Sequence, residues 1–145
     1  MSALAYVAPQ AMDAQLAYIQ NNTQVIAVLN QLVTVTDSAA TIASAVIASI
    51  VVGASTTTTF SAADFTIGAG TPTNSRKLTT PSAKTIPAVA SAPSNGAGMN
   101  ATQIVFLNGA LGTGTAVYVE PVTPQLVTAS NPVTVPSVSL TITNL

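Results

Sequence analysis

Seven side chains in the 145-residue chain carry formal charge: Asp13, Asp37, Asp64 and Glu120 against Arg76, Lys77 and Lys84, with no histidine and no cysteine. Acid/base relays draw on histidine or paired carboxylates, covalent catalysis on an activated nucleophile, and tight zinc sites on Cys and His. The four carboxylates are widely separated, and no local spacing resembles the two-carboxylate arrangement of a glycosidase. Asp37, between Thr36 and Ser38, reads as part of a helix cap. Ser82 and Lys84 have the types of a nucleophile and its base, but Pro81 and Pro87 bracket them and offer no rigid wall for a pocket. Gly109, Gly112 and Gly114 lack the order and the lysine of a phosphate loop and read as turn glycines. The sequence therefore predicts a protein that is not an enzyme and calls for no cofactor or metal.

Hydrophobic residues make up 48% of the chain and charged ones 5%, against roughly 25% charged in an ordinary soluble domain. The wetted surface must come from Ser, Thr, Asn and Gln. A net charge of −1 gives little repulsion between copies, so self-association is expected. Three basic residues cannot neutralise many phosphates, which argues against a nucleic-acid partner. Asn74-Ser75-Arg76-Lys77, the one basic cluster, either docks on an acidic patch or keeps an exposed segment soluble. Met1 to Pro9 carries no basic residue, which argues against a secretory signal and for synthesis in a cytosol.

The elements that would position these residues fall into three stretches. In 1–54, Pro9 suits a first helical position, and the pattern to about Val35 is helical. Tyr18, Asn22, Val25, Leu29, Leu32 and Thr36 recur at steps of four and three, a heptad seam that predicts an oligomer interface. Leu16, Ile19, Ile26 and Val33 form a second row, which suits a bundle of three or more helices, or equally an amphipathic helix packed on its own domain. A second helix is expected over Ser38 to Val52, with Val46 and Ile50 continuing the interface. Its β-branched residues keep a strand open as the alternative. Ala39 to Ala54 is shorter than the roughly 20 residues of a membrane span, so burial in an oligomer is preferred over membrane insertion.

The stretch 55–100 is punctuated by Pro and Gly. Short strands are expected at Thr56–Phe60 and Phe65–Ile67, and the remainder reads as a linker or as an extended arm, with Leu78, Ile86 and Val89 as anchors on a neighbouring subunit. In 101–145, Gln103–Leu107, the turn pair Asn108-Gly109 and Thr115–Val119 predict a hairpin. Val/Leu/Ile alternating with Thr/Ser follows to Leu145, cut by Pro121, Pro124, Pro132 and Pro136 into short pieces suited to sheet edges. The expected class is α+β: a helical oligomerisation segment, an extended arm and a small antiparallel β-sandwich or barrel.

This order of heptad-like helix, Thr/Ser/Pro/Gly run and Thr/Val-alternating β tail resembles bacteriophage virion structural proteins, in particular capsid decoration (cement) proteins and short trimeric head or tail fibres. The resemblance implies a homo-oligomer such as a trimer, no catalysis, a location in the virion, and the major capsid protein or another virion protein as partner. The alternative is a cell-surface filament or adhesin subunit assembling by donor-strand complementation, with Ile42 to Val52 as the donated strand. A carbohydrate module ranks last, because Tyr6, Tyr18, Tyr118, Phe60, Phe65 and Phe106 mostly fall on core or seam positions.

Overall fold

A computed structural model describes residues 7–51, 61–80, 84–86, 99–128, 133–135 and 137–143. Its centre is β1 (Val25–Leu29), in which all five residues are buried. A strand covered on both faces reads as a continuous apolar run rather than an alternating one. Such a run is indistinguishable by periodicity from a stretch of buried helix. That ambiguity is why the expected Pro9–Val35 helix is corrected here. α1 spans Pro9–Asn22 only. Its last turn is closed by Thr23, whose N–H and hydroxyl both donate to the Ile19 carbonyl, and the Gln24 N–H already donates to Leu107 of the sheet at 2.7 Å.

The second expected helix divides. α2 (Ala39–Ala45) is capped by the Ser38 hydroxyl, which accepts from the Thr41 N–H. β2 (Val46–Val51) follows directly. Alanine favours the first half, and the β-branched run from Val46 favours the second. A 3-10 turn (Ala62–Asp64) leads to β3 (Thr66–Ala69), β4 (Ser75–Thr79) and β5 (Lys84–Ile86). β6 (Met99–Asn108), β7 (Thr115–Val127), β8 (Val133–Val135) and β9 (Ser139–Thr143) complete an α+β chain.

The sheet orders are β2-β1-β6-β7, β3-β4-β9 and β5-β8, all antiparallel. None of them closes into a barrel among the described residues. The largest sheet joins β1 and β2 from 1–54 to β7 and all but the first two residues of β6 from 101–145, so these stretches share one core. One face, with Ile26, Val28, Ile104 and Phe106, packs against Leu16 of α1 and against Ile67, Leu78, Leu140 and Ile142 of the three-stranded sheet. Phe106 is the hub, meeting Phe65 and Tyr118 edge-to-face at 5.9 and 5.4 Å. The opposite face, with Val25, Ala27, Leu29, Val105 and Leu107, packs against Val33 and against Ile42 and Ala45 of α2.

The arm expected over 55–100 is corrected for its described part. Leu78 is buried in the chain's own core, and β4 lies between β3 and β9 of the same chain. Thr56–Phe60 and Val89 lie outside the described residues. The hairpin forms as expected, with Gly109 and Gly112 at positive φ. The expected fragmentation by proline does not occur at Pro121 and Pro124, because β7 runs through both for 13 residues. It can do so because β7 lies at the sheet edge and slips register there: Val122, Thr123 and Pro124 together face only Thr102.

Candidate assembly surface

The loop between β1 and α2 is held from beneath by Gln103. This side chain is buried on β6; its amide Nε2 donates to the Val33 carbonyl at 3.0 Å, and its Oε1 accepts from the Val33 N–H at 2.7 Å. One glutamine thus satisfies both backbone groups of a residue outside any sheet, as a neighbouring strand would. Val33 is thereby pressed into the core beside Leu29 and Ile42. Further along, Asp37 accepts from the Thr34 N–H at 2.6 Å and from the Thr34 hydroxyl, while its own N–H donates back to the Thr34 carbonyl. On either side of the anchored Val33, Leu32 is 76% exposed and Val35 50% exposed. Large apolar side chains held outward on a fixed loop lose little conformational freedom on binding.

The expected interface residues separate. Tyr18 lies outward on α1, 57% exposed. Asn22 is half-buried and donates to the Tyr18 carbonyl at 2.8 Å, closing its own helix. Val25 and Leu29 are buried in β1, and Val46 is half-buried against the same core. Ile50 stands on β2 opposite Ile26. Leu32 and Thr36 are both exposed in the loop, the Thr36 hydroxyl sharing a hydrogen bond with that of Thr34. The heptad thus brings no common seam together, yet Leu32 is the most exposed of the large apolar side chains described. Gln103 was missed by sequence reading; its only signal was an amide beginning the apolar run Ile104–Leu107.

β7 offers a second surface. The cross-strand row Ala48–Val28–Ile104–Glu120 places Glu120 on the core-facing side of this edge strand. Its carboxylate accepts from the Tyr118 hydroxyl at 2.8 Å. Burial first, then the bond to Glu120 and its charge, push the Tyr118 hydroxyl pKa above the ordinary tyrosine value. Beside Glu120 opens a cleft of about 460 Å³ lined by Val28, Ala101, Pro121, Pro124 and Val138 among others. Prolines without N–H donors, an inward charge and a register slip are the devices by which edges resist strand addition. The described part of the Ile42–Val52 segment, the donor strand of the filament alternative, is divided between α2 and β2, and Val46–Val51 pairs with β1 of the same chain.

Asp13 of α1 and Arg76 of β4 form a two-point ion pair, Nε to Oδ1 at 2.5 Å and Nη2 to Oδ2 at 2.9 Å. Among the described residues no three His, Cys, Asp or Glu side chains gather into a metal-binding group, and no helix is long and apolar enough to cross a membrane. Comparison with protein-family models, curated proteins and solved structures yields no match.

Proposed function

We propose that the chain is a non-enzymatic structural protein of a virion, which decorates or cements a capsid, or builds a short fibre, through packing of its own copies. The observation that carries this reading is the rigid outward presentation of Leu32 and Val35 on a surface with very few charges. Apolar area removed from water contributes roughly 25 cal/mol per Å², and a standard interface of about 1,600 Å² suffices for specific attachment. Many copies on one shell would add avidity. In this reading the two larger sheets are the layers of a β-sandwich body and the partner is the major capsid protein or another virion protein. A closed homo-oligomer, a trimer among the candidates, is favoured over strand-exchange filaments by Pro121, Pro124 and the inward Glu120 on β7.

The test is sedimentation of the full chain and of the double variant Leu32→Ser/Val35→Ser, with circular dichroism to verify the fold. The expected result is a defined oligomer for the parent and a folded, smaller species for the variant. A folded variant with unchanged assembly would remove this loop from the interface, and a parent that stays monomeric at high concentration would overturn the reading.

A further inference from the structure

The outer face of the β3-β4-β9 sheet carries a lysine beside an empty strand position. Cross-strand rows Thr66–Thr79–Ser139 and Gly68–Lys77–Thr141 lie next to each other on this face, while Ile67, Leu78 and Leu140 point to the core. Among the described residues the Lys77 ammonium has no ion-pair or hydrogen-bond partner, whereas its neighbour Arg76 is committed to Asp13. The sequences of the three strands contain no Asp or Glu, so the positive potential at Lys77 is unopposed on its own sheet.

Gly68 faces Lys77 directly. Glycine inside a strand weakens it, and commonly marks a place where something else must approach closely. Here neither the backbone nor crowding demands it: Gly68 is not among the positive-φ glycines, and a Cβ at this position would meet nothing within 4 Å. What glycine leaves is room. A depression of about 250 Å³ lies there, lined by Thr66, Gly68, Lys77 and Thr79 among others. Thr66 and Thr79 share a hydrogen bond between their hydroxyls at 2.7 Å at its side, and hydroxyls both donate and accept.

We propose that this depression is a binding site for carboxylated saccharides, the sugar carboxylate on Lys77 and the sugar hydroxyls on the Thr66, Thr79 and Thr141 side chains. A single flexible ammonium matches a singly charged carboxylate, and the neutral hydroxyls match a polyol. A lysine can also bind phosphate, but a doubly charged phosphate is held best where forked guanidinium or several further donors converge with it, and this face presents the lysine alone. The solvent-facing array suits an extended polymer, whose repeated weak contacts add through multivalency. Recognition here uses charge and hydroxyls in place of stacking on aromatic rings.

The experiment is titration of the full-length protein with oligogalacturonate and with the same oligomer fully methyl-esterified, which removes the charge and keeps the sugar. Binding is expected for the acid form, weakening with salt, and at least tenfold weaker for the ester. Lys77→Gln and Gly68→Val, both on the solvent face, are expected to melt like the parent and to weaken binding at least tenfold, the first by removing the cation and the second by filling the space. Equal affinity for acid and ester, no binding of the acid form, or unchanged binding by folded Lys77→Gln each overturns the proposal. A change of oligomer size in Lys77→Gln, with no saccharide bound by the parent, overturns it in favour of a carboxylate on a second copy; neither result bears on the Leu32/Val35 loop.

Discussion

Gln103 and Val33, 70 residues apart in sequence, are joined by two hydrogen bonds between one side-chain amide and one residue's backbone. Truncating the glutamine strands a buried N–H and a buried C=O, each worth about 1–3 kcal/mol when left unpaired. Gln103→Ala is therefore expected to lose roughly 2–4 kcal/mol in urea unfolding. It should also open the loop to proteolysis near Leu32. A loss under about 0.5 kcal/mol, the range of ordinary surface changes, would mean that the loop is held by something else.

Tyr118 makes stability depend on alkaline pH. Its hydroxyl stays protonated in the folded chain above the pH at which the unfolded chain releases that proton, about 10. Above that point the unfolded state binds fewer protons, so stability is complete below about pH 10 and declines as pH rises toward the folded value. Tyr118→Phe should show a shallower decline between pH 9 and about 11 than the parent. The measurement is the urea midpoint at each pH, and parallel curves would assign the alkaline loss to other groups.

The edge of β7 should become adhesive when its defences are removed. Pro121→Thr/Pro124→Thr with Glu120→Val restores donors and removes the inward charge. This triple variant is expected to form thioflavin-positive aggregates under conditions in which the parent stays clear. A clear solution of folded variant would show that the register slip alone protects the edge.

Gly114 tests the hairpin. A Cβ there would lie 2.9 Å from backbone atoms of Asn108, Gly109 and Ala110, and none of these is the movable end of a side chain. Gly114→Ala is expected to cost about 1–3 kcal/mol by forcing the turn apart. Gly112→Ala, at positive φ but with open space around it, should cost about 1 kcal/mol, the strain of a left-handed backbone. Thermal melts of the two variants give the comparison.

The hairpin from Gln103 through Asn108-Gly109 to Thr115 was legible because turn chemistry is local. The Ser38 cap was legible for the same reason. Val25–Leu29 was misread because its apolar character on every side comes from being covered twice, a tertiary fact without a distinct period. Leu32 is exposed for a reason the heptad does not contain: it flanks a residue pinned by Gln103. The Pro/Gly segment read as an arm because proline and glycine report where a backbone turns, whereas the burial of Leu78 depends on β9, more than 60 residues later.

Because β1 pairs with β2 on one side and with β6 on the other, the latter in the register Val25–Leu107, a nascent chain can close one edge of this strand early but leaves the other open until β6 is made. At about 5–20 residues per second, the ribosome needs on the order of ten seconds to deliver β6. During that interval the free edge of Val25–Leu29 presents unpaired backbone donors and acceptors, the kind of edge to which another chain can add.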